Sequence, residues 1–143
     1  MEIKNNNFSN IIFITGGTKS GKSEFAEYLG KKIDKITYIA LSDSNPEDSN
    51  WQKKIHQHRE RRPKEWGLVE TNNLIKTLNI EHGPILIDSI GGFIMESINK
   101  SDDEWKKKVY MLLNLLAIRD KQTLIVGEQV GWSLVSEYEI GNK

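Results

Sequence analysis

Apolar residues gather along this chain in short blocks: Ile11-Ile12-Phe13-Ile14, the run from Ile36 to Leu41, Gly67 to Thr71, Pro84 to Asp88, and Thr123 to Val126. Short uninterrupted runs rich in β-branched residues predict strands buried on both faces. Between the blocks the spacing changes. Phe25, Ala26, Tyr28 and Leu29 recur at helical intervals and predict a helix from Lys22 to about Lys32. Trp51 to about Arg61 reads as a helix that ends near Pro63, because the residue before a proline disfavours helical geometry. Asn72 to Asn79 reads as a short helix, and Gly91-Gly92 as a break before a helical turn or two at Phe93 to Ile98. From Asp102 to about Arg119, Trp105, Val109, Leu112, Leu113 and Leu116 fall at i, i+4, i+7, i+8 and i+11 of one long amphipathic helix.

Strands alternating with helices imply an α/β fold, a mostly parallel sheet flanked by helices. Ligands of such sheets bind at the carboxyl ends of the strands. No internal repeat or low-complexity linker divides the chain, so residues 1–143 are expected to form a single domain.

Composition narrows the function. With 20 basic and 20 acidic residues the formal net charge is zero, so no bulk field draws the protein to nucleic acid or anionic lipid. The chain has no cysteine, which excludes disulfides, zinc–thiolate sites and a thiol nucleophile. No apolar run approaches the ~20 residues that span a bilayer, and Met1 to Asn10 lacks a signal-peptide pattern; the expected location is the cytoplasm.

The chemistry begins at Gly16-Gly17-Thr18-Lys19-Ser20-Gly21-Lys22-Ser23, which fits G-x-x-x-x-G-K-[ST] between a strand and a helix. In this phosphate-cradling P-loop, backbone N–H groups converge on phosphate oxygens, which the small residues Gly16, Gly17 and Gly21 permit. The helix opening near Gly21 adds its positive end. Lys22 can reach the β- and γ-phosphates, and the Ser23 hydroxyl can ligate Mg²⁺. A nucleoside triphosphate, GTP or ATP, is the expected ligand. Asp88 closes an aliphatic strand in the manner of a Walker B acid and can hold Mg²⁺ opposite Ser23; the plainer reading is a strand-ending Asp that caps the next turn.

The segment from Lys53 to Trp66 (KKIHQHRERRPKEW) is locally basic in a neutral chain. On a helix, Trp51, Ile55, His58 and Arg62 share one face, whereas His56 lies about 200° from His58. A neutral imidazole beside guanidinium groups suits nucleophilic attack on phosphorus. From the residues alone, a solvated charged helix face bearing two surface histidines is the favoured reading.

The succession GGTKSGKS, YIAL, KIHQHRERRPKEW, VET, ILIDSI and GEQVGW, from Ile11 to Gly141, resembles the bifunctional adenosylcobinamide kinase/adenosylcobinamide-phosphate guanylyltransferase family of cobalamin biosynthesis. The H-R-x-x-R-P-x-x-W segment is its most specific part. The resemblance implies a RecA-like P-loop NTPase domain assembled as a homotrimer, with adenosylcobinamide and its phosphate as corrinoid substrates. It implies phosphorylation by a nucleoside triphosphate, then transfer of GMP from GTP through a guanylylated histidine, which maps to His58. It further implies nucleotide contacts at Gly16 to Ser23, at Ser42, Asp43 and Ser44, at Arg62, Pro63, Lys64 and Glu65, and at Glu70, with Glu128 lining the site.

The chain departs from the family pattern at Ser89-Ile90-Gly91-Gly92, where a threonine-containing segment is usual, and at Gly127, where asparagine is common. It also stops before the family's last helix and strand, which would leave a strand edge exposed. Two other readings remain: a different small-molecule P-loop kinase, and a truncated GTP-binding module without turnover.

Overall fold

Every predicted apolar block forms a strand in the computed structural model, and every strand pairs in parallel. The structure describes residues 9–17, 20–41, 53, 60 and 62–127. Within them the chain runs β1 (Ile11–Thr15), α1 (Lys22–Gly30), β2 (Thr37–Leu41), β3 (Gly67–Thr71), α2 (Leu74–Ile80), β4 (Ile85–Asp88), α3 (Gly91–Ile94), a 3₁₀ turn (Met95–Asn99), α4 (Asp102–Ala117) and β5 (Thr123–Gly127). The sheet order is β1-β5-β4-β2-β3, so β5 lies between the strand that leads into the P-loop and the strand that ends in Asp88. Among the described residues β1 pairs with β5 alone and forms one edge of the sheet. No helix of the described residues is long and apolar enough to cross a membrane.

Alternation along the strands sorts side chains onto two faces. Ile39, Ile85, Ile87 and Ile125 point to one, where Leu74 and Leu78 of α2 and Trp105, Val109, Leu112, Leu113 and Leu116 of α4 cover them. Ile14, Tyr38, Ala40, Leu86, Leu124 and Val126 point to the other, beneath Ala26 of α1 and Trp66. Strands covered on both faces explain why the blocks read as continuous apolar runs rather than alternating ones.

Helix ends follow local chemistry. Ser101 caps α4: its hydroxyl accepts from the Glu104 N–H at 3.2 Å and donates to the Glu104 carboxylate at 3.0 Å. Asn73 caps α2 by accepting from the Lys76 N–H at 3.1 Å, so the helix expected from Asn72 begins at Leu74. The strand expected from Pro84 begins at Ile85; Pro84 has no N–H to donate, but its carbonyl accepts from Thr37 at 3.0 Å.

Gly91 and Gly92 were expected to interrupt the chain, yet they open α3. A Cβ on Gly92 would lie 2.8 Å from Leu41 Cβ, so glycine here serves close packing against the end of β2. Of the helix expected at 51–61, only Lys53 and Glu60 are described, both helical.

Candidate nucleotide site

All five strands end at the same edge of the sheet, at Thr15, Leu41, Thr71, Asp88 and Gly127. The P-loop leaves β1 there. Ser20 N–H donates to the Gly17 carbonyl at 3.2 Å, closing a tight turn. Gly21 then precedes α1 with φ of +85°, a left-handed conformation that glycine adopts at little cost. The Lys22 ammonium donates to the Gly17 carbonyl at 3.0 Å, folding back over its own loop.

Helix α1 packs on β1, β5 and β4, and this carries Ser23 across β5 to Asp88. Ser23 Oγ donates to Asp88 Oδ2 at 3.4 Å. Alternation dictates that meeting: Asp88 lies two residues after Leu86 and therefore faces α1. Register extends the row. Ile14, Val126, Asp88, Ala40 and Glu70 stand side by side on β1, β5, β4, β2 and β3. The small Ala40 separates the two carboxylate-bearing positions, whose backbones are about 10 Å apart at two strand spacings. The Asp88–Ser89 peptide is cis.

Sequence reasoning missed two residues at this site. Tyr38, 2% exposed, donates its phenolic O–H to Asp88 Oδ2 at 2.7 Å. Burial pushes the phenol above the ordinary tyrosine range, and the charge and hydrogen bond of Asp88 push the same way. Glu27, one turn after Ser23 on α1, lies 2.6 Å from Arg62 Nη2. Helical spacing from Ser23 was the available signal for Glu27. The signal for Tyr38 was weaker, a polar aromatic within an apolar strand.

Beyond Lys53 and Glu60, the basic segment is described from Arg62 onward. The Arg62 guanidinium carbon lies over the Tyr38 ring, 3.7 Å from the centroid, in a cation–π contact. A turn follows in which Trp66 N–H donates to the Pro63 carbonyl at 3.1 Å, leaving Lys64 and Glu65 exposed. Trp66 is buried beside Gly30 at the end of α1. Arg62 and Trp66 thus pin the turn to the α1 face of the sheet.

Of the expected site residues, the structure joins Gly16, Gly17, Ser20, Gly21, Lys22, Ser23 and Asp88 at one corner, and Arg62 reaches that corner through Tyr38. Pro63, Lys64 and Glu65 lie on the turn, and Glu70 stands two strands from Asp88. Thr18, Lys19, Ser42, Asp43, Ser44, His58 and Glu128 lie outside the described residues.

Comparison with known proteins shows the family of the chain. A family model described as cobinamide kinase / cobinamide phosphate guanyltransferase matches residues 12–143. The chain belongs to that family. It is also 26% identical over 145 residues to the bifunctional adenosylcobalamin biosynthesis protein CobU of Escherichia coli (strain K12), covering 89% of this chain and 79% of the relative. The α/β fold is consistent with that family.

Proposed function

We propose that the protein is a cobalamin-biosynthesis enzyme that phosphorylates adenosylcobinamide and then transfers GMP from GTP to the product. The observation that carries this reading is the convergence of Ser23 and Asp88, 3.4 Å apart, beside a phosphate loop in a chain of this family. One hydroxyl and one carboxylate make a hard-oxygen donor pair, which suits Mg²⁺ because that ion takes few protein ligands and completes its shell with phosphate and water. Ser23 and Asp88 would hold it, and when bound it neutralises charge on the phosphates.

In the kinase half, the loop's N–H groups and Lys22 hold the triphosphate of ATP or GTP. The aminopropanol hydroxyl of adenosylcobinamide attacks the γ-phosphorus, the bond to the β-phosphate oxygen breaks, and a nucleoside diphosphate leaves. In the transferase half, a His58 imidazole nitrogen attacks the α-phosphorus of GTP and pyrophosphate departs. A phosphate oxygen of adenosylcobinamide phosphate then attacks the N–P linkage, frees His58 and gives adenosylcobinamide-GDP. Ser42, Asp43, Ser44, Lys64, Glu65 and Glu70 serve as nucleotide contacts on this reading, with the chain assembled as a homotrimer.

The test is product formation. The protein, Mg²⁺, GTP and adenosylcobinamide should yield adenosylcobinamide phosphate and adenosylcobinamide-GDP by chromatography, and Asp88→Asn should suppress both. Neither product, despite measurable GTP binding, would overturn the assignment.

A further inference from the structure

Tyr38 has no part in the chemistry above, yet it makes the shortest contact to Asp88 among the described residues. It stands opposite Leu86 on the neighbouring strand, and Asp88 lies two residues farther along the same face. A short polar side chain at this position would not span that offset; a phenol does, and its hydroxyl arrives at 2.7 Å. A donor to an ionised carboxylate at this distance forms a strong, charge-assisted bond. The ring has little freedom to move, being 2% exposed, packed in the α1-side core and covered by the Arg62 guanidinium. Among the described residues, both donors to Asp88, Ser23 and Tyr38, meet at Oδ2, and Oδ1 accepts from neither.

We propose that Tyr38 is a positioning residue of the nucleotide site: its hydroxyl holds Asp88 by Oδ2 and leaves Oδ1 for the divalent cation that accompanies the nucleotide. This rests on Asp88 as the cation's carboxylate. Arg62 reinforces the hold from behind, because a cation on the ring face draws electron density from the phenol and strengthens its O–H as a donor. Through that contact the R-P turn, four residues after His58, is mechanically joined to the carboxylate.

The experiment is calorimetric titration of the full chain with GTP, in Mg²⁺ and again in excess EDTA, for the wild type, Tyr38→Phe and Asp88→Asn. Phenylalanine keeps the ring beneath Arg62 and removes only the donor, and thermal melts confirm that the variant is folded. The ratio of affinities with and without Mg²⁺ is the readout, since a purely structural role would weaken both affinities alike. Tyr38→Phe should lower the ratio about tenfold, the order of one charge-assisted hydrogen bond, with the EDTA affinity within about twofold of wild type. A wild-type ratio in Tyr38→Phe, alongside a collapsed ratio in Asp88→Asn, would overturn the role of Tyr38 alone. A wild-type ratio in Asp88→Asn would overturn the reading of Asp88 beneath it.

Discussion

The Arg62 guanidinium lies 2.6 Å from the Glu27 carboxylate, with side-chain exposures of 5% and 14%, and so ties the R-P turn to the helix that begins at Lys22 and Ser23. Removing one member takes this ion pair away from a buried charge, which costs more than the net worth of the pair. Glu27→Ala should therefore destabilise the protein by about 3–5 kcal/mol in urea unfolding, and Glu27→Leu/Arg62→Met together should recover most of that loss. A double variant no more stable than the single one would refute the pairing argument.

Lys22→Ala tests the loop without disturbing its helix, because alanine is the best helix former and Lys22 is the first residue of α1. Loss of a charge-assisted contact to phosphate should weaken GTP binding at least about tenfold, with the melting temperature little changed. Unaltered affinity by calorimetry would argue against the loop as the phosphate site.

Gly92→Ala places a Cβ 2.8 Å from Leu41 Cβ, an overlap that the flexible end of a side chain cannot relieve. The expected cost is about 1–3 kcal/mol. Gly83→Ala is the control: a Cβ there meets nothing within 4 Å, and its stability should stay within about 0.5 kcal/mol of wild type. Equal melting temperatures for the two variants would contradict the packing role of Gly92.

Alkali should weaken the fold partly through Tyr38. Burial first, and Asp88 second, raise its ionisation above the ordinary tyrosine value. In the unfolded chain the phenol ionises near pH ~10, so above that pH the unfolded state has lost a proton that the folded state keeps. The stability contributed by the protonated phenol is full below about pH 10 and declines as pH rises beyond it. Urea unfolding at about pH 8 and about pH 11 should show the wild type losing more stability than Tyr38→Phe, by up to about 1.4 kcal/mol per pH unit above 10. Parallel losses would contradict this.

How much was legible in the sequence follows from how local each feature is. β3 matches its expected span, Gly67–Thr71, and α4 begins at Asp102 as expected, because strand runs, caps and helical period are written in neighbouring residues. Helix α4 ends two residues early, at Ala117. Arg119 instead turns its guanidinium to the Glu81 and Gly83 carbonyls and the Thr123 hydroxyl, partners 38, 36 and 4 positions away. The loop and Asp88 were legible as motifs. Tyr38 was not, because its role depends on β2 lying beside β4 with Tyr38 opposite Leu86, a register no local pattern records. Arg62 was placed among nucleotide contacts, but its position on the Tyr38 ring depends on that same pairing.

The central claim, a guanylyl-histidine at His58, is tested most directly with GTP labelled on either the α- or the γ-phosphate. Each is incubated with protein and Mg²⁺, and protein-bound label is assayed for acid lability and alkali stability. The account predicts acid-labile, alkali-stable label from the α-phosphate alone, absent in His58→Ala, which still binds GTP. Undiminished labelling in His58→Ala, or no label in wild-type protein that binds GTP, would contradict it.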